Sequence, residues 1–168
     1  MVNVVRVDRT GEYFADILAL LGISEDEHAR RSRQYRGALG MRESDEYSLI
    51  RYVQDEEGCI VLVALDGDKV VGCLKGRIRN AGRHMSFREY AHLSSVCVLP
   101  EHRKKQVAKK LVNAFKAWAR KKGMSHCMLY VQNNNEGAIK AWSRMGFTTN
   151  LRRMHCKLET FLLSRRAD

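Results

Sequence analysis

The chain is poor in residues that prevent compact packing. It contains one proline, Pro100, among 168 residues, and it has no proline-rich or other low-complexity segment. Hydrophobic residues make up 45% of the chain and charged residues 29%, a composition that excludes a wholly disordered protein. A chain of this length has room for one packed domain, so we expect residues 1–168 to form a single domain.

Long apolar runs are also absent. The most apolar early stretch, residues 15–23, is too short to cross a bilayer. The first ten residues, MVNVVRVDRT, lack the apolar core of a signal peptide. The sequence therefore predicts a protein without a membrane partner, located in the cytoplasm.

The cysteines do not form a ligand pattern. Their number is odd, they are widely spaced, and neither a C-x-x-C pair nor a nearby pair of histidines accompanies them. This spacing predicts reduced thiols and no metal site. The five are Cys59, Cys73, Cys97, Cys127 and Cys156.

Acidic residues are few compared with basic ones. Thirty lysines and arginines against nineteen aspartates and glutamates give a net charge of +11. Such a charge favours an anionic partner, which could be a nucleic acid, an anionic membrane or a phosphate-rich cofactor. Charge alone does not choose among these three.

The hydrophobic periodicity of the first third predicts a strand followed by helices. We expect Gly22 to end the first helix, and Ser24 with Glu27 has the spacing of a capping box that opens a further, basic helical segment. The other predicted elements here are a strand at Asn3–Val7, a helix at Thr10–Leu21 and a helix at about Ser44–Gln54.

The remaining two thirds alternate strands with helices. An Asp66-Gly67-Asp68 turn between two apolar runs predicts an antiparallel hairpin. The pattern as a whole predicts an α/β (α+β mixed) fold, a mixed sheet with helices on both faces. Its predicted elements are strands at Cys59–Leu65, Val70–Ile78, Tyr90–Val98, Cys127–Val131 and Leu151–Leu158, a helix from Val107 that Gly123 ends, and a helix at Gly137–Met145.

The segment after the strand that ends at Pro100 has the features of an anion-binding loop. It reads RKKQVAKK from Arg103 and leads directly into a helix. The first N–H groups of a helix have no partner within the helix, and the helix dipole places positive charge there, so a pyrophosphate fits such a place. A solvated basic helix start is the alternative.

Two blocks together resemble the GNAT superfamily of N-acetyltransferases. The block Asn135–Phe147 reads NEGAIKAWSRMGF, which is similar to the family's Asn, two residues, Ala, then an aromatic residue, ending in Gly-Phe. The segment Arg103–Ala108 resembles its phosphate loop, with Gln106 at the middle glycine. Val71-Gly72, at the start of the hairpin's second strand, also looks like the family, and the resemblance covers roughly residues 59–158.

The resemblance implies a central mixed, mostly antiparallel twisted sheet with helices on both faces. Residues 59–158 would form the core that binds acetyl-CoA as co-substrate, and residues 1–56 would shape the acceptor site. The strand backbone at Val96, Cys97 and Val98 would pair with the pantetheine arm, and Asn135 would hydrogen-bond the cofactor. The residues expected at the phosphates are Arg103, Lys104, Lys105, Gln106, Val107, Ala108 and Lys109.

Four positions depart from the usual pattern of this family. Gln106 adds a Cβ, so either the loop has ordinary helical dihedrals or cofactor binding is weakened. Some members carry a glutamate where this chain has His92, which either accepts the amine proton or is an ordinary strand histidine. Tyr130, at another member's glutamate position, either donates its hydroxyl in the cleft or packs in the core. Trp142 replaces the usual acid, a tyrosine, and is expected to pack against the core or the cofactor.

The resemblance implies transfer of an acetyl group from acetyl-CoA to a primary amine by direct attack in a ternary complex. The alternative is a non-catalytic acyl-CoA sensor or a basic nucleic-acid-binding module on the same fold. Nucleic acid is the less favoured partner because CoA phosphates already account for the lysines, and a homodimer is left open. The basic run Arg30–Arg36 favours an acidic or phosphate-bearing acceptor, since a polycation would be repelled.

Overall fold

The computed structural model describes residues 1–31, 43–152 and 154, with the side chains of residues 43–46 excepted. The described elements are β1 (Asn3–Arg6), α1 (Phe14–Arg31), α2 (Glu43–Gln54), β2 (Cys59–Asp66), β3 (Lys69–Asn80), β4 (Glu89–Val98), a short 3-10 turn (Pro100–His102), α3 (Val107–Lys121), β5 (Cys127–Leu129) and α4 (Glu136–Arg144).

In the described part of the chain, five strands form one sheet in the order β1-β2-β3-β4-β5. The first three pairings are antiparallel, and β4 pairs with β5 in parallel. The hairpin between β2 and β3 closes at the pair Asp66 and Lys69, with Gly67 at a φ of 62°. The prediction of a mixed, mostly antiparallel sheet is confirmed.

The sheet is covered on both faces, as the hydrophobic pattern predicted. On one face, Ile17 and Leu20 of α1 and Leu49 of α2 pack against the buried residues of β2 and β3. On the other face, α3 inserts Leu111 and Phe115 into a second cluster. Both helical layers are held by the apolar side chains that alternate along the strands.

The first helix differs from its prediction. α1 runs without interruption through Gly22 to Arg31, so neither the stop at Gly22 nor the capping box at Ser24 is correct. A glycine inside a helix costs only about 1 kcal/mol, which the packing of α1 on the sheet exceeds. The far end of α1 is also held from outside, because side chains of the segment between β5 and α4 donate to the last carbonyls, Gln132 to His28 and Asn134 to Arg31.

The C-terminal part of the prediction is met in part. β5 ends at Leu129 rather than Val131, and α4 matches its predicted helix to within a residue at each end. Leu151 and Arg152 are not in a strand, and most of the strand predicted at Leu151–Leu158 lies outside the described residues. No helix in the described part of the chain is long and apolar enough to cross a membrane.

Close packing between β3 and α3 leaves no room for a side chain at Gly76. A Cβ at Gly76 would lie 2.3 Å from Cε2 of Phe115, whose ring is fully buried. We expect Gly76→Ala to lower the free energy of unfolding by about 2–3 kcal/mol, because the ring has no space to move away. Chemical denaturation measures the change.

Gly137 provides the matched control. A Cβ at this position in α4 meets no atom within 4 Å. Gly137→Ala should therefore raise the free energy of unfolding by up to about 1 kcal/mol through helix propensity alone. Equal stability of the Gly76→Ala and Gly137→Ala proteins would contradict the close approach.

Candidate active site

A cleft opens where β4 and β5 part. The two strands pair only at Ala91–Leu93 and Cys127–Leu129, after which β4 continues to Val98 while the other chain turns towards α4. Beyond Leu93, therefore, β4 has β3 on one edge and no strand among the described residues on the other. A bulge marks the same point, since Lys75 of β3 faces Ser95 while its neighbour Gly76 faces Leu93.

Val96, Cys97 and Val98, the predicted cofactor strand, lie on this open edge. Val96 and Val98 pack towards α3, and Cys97 points the opposite way, where its Sγ donates to the Leu20 carbonyl at 2.8 Å. Burial raises the pKa of Cys97 to about 11. The thiol is thus protonated at neutral pH, and a protonated thiol is a poor nucleophile.

The loop after β4 presents unpaired N–H groups. The first hydrogen bond of α3 runs from the N–H of Lys110 to the Gln106 carbonyl, and no side chain in the described ranges caps the helix. The preceding N–H groups, those of Val107, Ala108 and Lys109, are thus exposed to an anion. Val107 contributes backbone only, because its side chain is buried against the sheet.

Gln106 resolves the choice that the sequence left open. Its φ is 62° and its ψ is 10°, so the left-handed conformation of the pattern's glycine is kept and the ordinary helical alternative is wrong. Among the described residues, Lys104, also at φ 62°, is the one other non-glycine residue with positive φ. Such strain concentrates at functional sites, and alternating left-handed residues turn successive N–H groups towards one point.

The four cations of the loop differ in their partners. Arg103 is engaged: its Nε donates to the Val98 carbonyl at 3.1 Å and its Nη2 to Glu27 of α1 at 2.6 Å. It therefore ties α1 to the end of β4. The remaining three, Lys104, Lys105 and Lys109, are exposed and form no ion pair with another described residue.

Asn135 and Trp142 lie on α4. Asn135 is the N-cap residue, and its Oδ1 accepts from the N–H of Ala138 at 3.2 Å. Trp142 packs on the α3 side of the sheet, with its ring 5.5 Å from that of Phe147 in an edge-to-face arrangement. Trp142 is thus a packing residue here.

His92 lies in β4 at the point where the cleft begins. It is 6% exposed, and its Nδ1 has no hydrogen-bond partner among the described residues. Burial first, and then the positive charges of Arg79 and Arg77, lower its pKa to about 4. His92 is therefore neutral at physiological pH, with a pKa well below that of an ordinary histidine.

Tyr130 is brought next to His92, with ring centroids 5.2 Å apart. It directly follows β5 and is 72% exposed, so the alternative of a core tyrosine is wrong. The two residues predicted as catalytic thus meet at one end of the open edge, and the phosphate loop lies at the other. Six residues of strand, roughly 20 Å, separate them.

Sequence reasoning missed the wall formed by α2. The Tyr52 hydroxyl and Ser94 Oγ lie 2.9 Å apart, which joins α2 to the bulge of β4. Lys75 and Arg77 of β3 lie over the Tyr52 ring at 5.3 and 5.8 Å. The sequence does carry a signal for the two cations, because β3 alternates basic residues with others in a strand that is otherwise hydrophobic.

Two other features carry no assignment. A cavity of about 520 Å³ beside β5 is lined by Phe87, Trp142 and Leu151 among others, includes Tyr130, and does not reach His92 or the phosphate loop. It borders the end of the described chain, so we assign it no site. No three His, Cys, Asp or Glu side chains in the described ranges lie close enough to hold a metal ion.

The strain at Gln106 predicts a stabilising substitution. Gln106→Gly should raise the free energy of unfolding by up to about 1 kcal/mol, because glycine adopts positive φ without a steric cost. Lys105→Gly is the matched control, since Lys105 lies between the two strained positions without positive φ. It should lower stability by about 0.5–1 kcal/mol. Denaturation curves in which both variants move the same way would contradict the assigned geometry.

The buried His92 predicts a pH-dependent stability. An unfolded histidine titrates near 6.5, and the pKa of His92 in the fold is about 4. Between these values the unfolded chain binds more protons, so stability is complete above about pH 6.5 and is lost as pH falls. We expect wild type to lose about 2 kcal/mol more than His92→Gln between about pH 7.5 and pH 5 in chemical denaturation. Parallel profiles of the two proteins would contradict the burial of this imidazole.

Comparison with known proteins agrees with this geometry. A family model described as the acetyltransferase (GNAT) family matches residues 25–147. The catalytic subunit NAA20 of the N-terminal acetyltransferase B complex from Arabidopsis thaliana is 30% identical over 82 residues, which are 48% of this chain and 45% of that protein. The match thus spans less than half of that relative.

Solved structures share the fold over nearly the whole chain. A mutant of the BH1408 protein from Bacillus halodurans has a TM-score of 0.81 at 15% identity, covering 92% of this chain and 98% of its own. The aminoglycoside 6'-N-acetyltransferase AAC(6')-Ih from Acinetobacter baumannii has a TM-score of 0.74 at 18% identity, covering 94% and 97%. AAC(6')-Iy, solved in complex with CoA, has a TM-score of 0.72 at 16% identity, covering 94% of each chain. Because the family model matches more than half of the sequence, the chain belongs to the acetyltransferase (GNAT) family, as its motifs predicted, and with it to the acyltransferase class of enzymes.

Proposed function

We propose that the chain transfers an acetyl group from acetyl-CoA to a primary amine by direct attack in a ternary complex. The observation that carries the proposal is the open edge of β4, which ends in a loop of uncapped N–H groups and left-handed residues. An extended arm with a phosphate group at one end fits both parts at once. The complex of AAC(6')-Iy with CoA, a protein of the same fold, supports this donor.

The donor site divides into an arm and a phosphate part. The backbone of Val96, Cys97 and Val98 would pair with the pantetheine arm as an added strand does. Arg103 would act mainly by positioning the loop, because its guanidinium is already held by Glu27 and the Val98 carbonyl. Asn135, at the start of α4, would border the arm from the other wall. The groups facing the phosphates would be Lys104, Lys105 and Lys109 with the N–H groups of Gln106, Val107 and Ala108.

The chemistry requires two proton movements. The amine nitrogen attacks the thioester carbonyl carbon, the C–S bond breaks, the amine loses a proton, and the departing thiolate gains one. We assign His92 to the amine proton, since its neutral Nδ1, at the mouth of the cleft, has no hydrogen-bond partner in the described part of the chain. Tyr130, the hydroxyl beside His92, is assigned to the thiolate. With a pKa of about 4, His92 is a weak base, so its contribution lies at the lower end of the range for general bases.

Acceptor-stimulated release of free CoA from acetyl-CoA tests this proposal. With a thiol reagent and a panel of amines, we expect His92→Gln to lower kcat by about 100-fold while leaving acetyl-CoA binding unchanged. Protection of the variant against heat by acetyl-CoA checks that binding.

The control is His126→Gln, which removes an imidazole that stacks on Phe87. It should keep full activity. Acetyl-CoA protection without CoA release for any amine would overturn the proposal and favour a sensor. A salt-dependent shift of a generic nucleic acid would favour the binding module instead.

A further inference from the structure

One face of the sheet places cations where an acceptor would lie. Lys75, Arg77 and Arg79 alternate along β3 and point towards the α1 and α2 side, as the position of the first two over Tyr52 shows. In the pairing of β3 with β4, Arg77 lies opposite His92 and Arg79 lies opposite Tyr90. The guanidinium groups thus border the residue assigned to the amine proton.

These half-buried arginines have no acidic partner among the described residues. Neither Arg77 nor Arg79 forms an ion pair with a described acidic side chain, and the buried Nε of Arg77 has no hydrogen-bond partner in the described ranges. Beside them, His92 is more than nine-tenths buried with its Nδ1 unpartnered. Buried polar atoms without partners are rare, and here two of them, Arg77 Nε and His92 Nδ1, belong to residues that lie opposite each other in β3 and β4.

The chemistry of these groups selects a ligand. A guanidinium offers a planar fork of donors that matches the two oxygens of a carboxylate or the oxygens of a phosphate. On the α2 side, the region beside the two arginines is bounded by Tyr52 and by Ser94 in the bulge of β4. An amine whose neighbour is a second cation would be repelled by the same groups.

We propose that the acceptor carries an anionic group, a carboxylate or a phosphate, close to its reacting amine, and that Arg77 and Arg79 bind this group. The inference rests on the proposed acetyl transfer and names its substrate class. The inference depends on residues of β3. The basic run Arg30–Arg36, which favoured an acidic acceptor in the sequence, lies mostly outside the described part of the chain. The anion would hold the amine beside His92.

Short peptides with a free N-terminus test the proposal, because a curated relative is an N-terminal acetyltransferase subunit. Four peptides are compared that are amidated at the C-terminus and identical except for the second residue, which is aspartate, phosphoserine, asparagine or arginine. We expect kcat/KM for the aspartate or the phosphoserine peptide to exceed that for asparagine by about 10-fold or more, with arginine the poorest. If the aspartate peptide is preferred over the phosphoserine peptide, the bound anion is a carboxylate, and the reverse preference identifies a phosphate. The preference should shrink as salt rises.

Variants of Arg77 and Arg79 test whether these arginines cause the preference for an anionic peptide. Arg77→Gln and Arg79→Gln should each reduce the anionic-to-asparagine ratio several-fold, and Arg77→Glu should favour the arginine peptide. The ratio is measured within one protein, so partial misfolding of a variant does not change it. Arg120→Gln, the same loss of charge on α3 across the sheet, should leave the ratio as in wild type.

The outcomes separate this inference from the proposed function. Equal acetylation of the aspartate, phosphoserine and asparagine peptides would overturn the inference while leaving acetyl transfer intact. If no peptide is acetylated, the acetyl-transfer proposal fails for these acceptors, and the inference is decided by binding of the same peptides, labelled at the C-terminus, in the presence of CoA. Tighter binding of an anionic peptide that Arg77→Gln abolishes would support it, and equal binding of the anionic and neutral peptides would overturn it.

Discussion

The parting of β4 from β5 after Leu93 is the constraint on which the rest of the site depends. A strand buried in a sheet must satisfy its backbone N–H and C=O groups on both edges, and β4 continues to Val98 with no strand of the described chain on one of them. One of these groups, the Val98 carbonyl, is satisfied by the Arg103 side chain. No strand among the described residues completes the rest of this edge, which leaves its backbone groups available to an extended ligand.

The surroundings of the open edge are held by contacts from distant parts of the chain. The last turns of α1 contact both walls, through Glu27 to Arg103 on the β4 side and through the carbonyl groups of His28 and Arg31 on the β5 side. These contacts link the two walls through α1 although the strands no longer pair. The left-handed backbone at Gln106 then aims the start of α3 at the end of the cleft. A strained loop persists because the structure on both sides of it is already fixed.

Local patterns in the sequence predicted the elements that local chemistry determines. The Asp66-Gly67-Asp68 turn and the apolar face of α3 are examples, since a turn residue or a helical stripe carries its own signal. The prediction that the first helix ends at Gly22 was wrong because a helix packed on a sheet tolerates a glycine that would end an isolated helix. Tyr130 was ambiguous because its exposure depends on where β5 stops, which is decided by the departure of β4. The site wall at Tyr52 joins two segments far apart in sequence, and no local pattern records such a contact.

Under the proposed function, the same cations would connect the choice of acceptor with the chemistry of His92. Burial and the charges of Arg79 and Arg77 keep the pKa of this imidazole low, which guarantees the neutral form but makes it a weak base. An anionic group bound to the two arginines would offset their charge, so the pKa of His92 would rise while that acceptor is present, although burial, the larger cause, would still hold it below its ordinary value. The base would then be strongest with the substrate that the arginines select. In this way recognition and proton transfer would depend on one pair of residues in β3, and a neutral acceptor would be disfavoured in both steps.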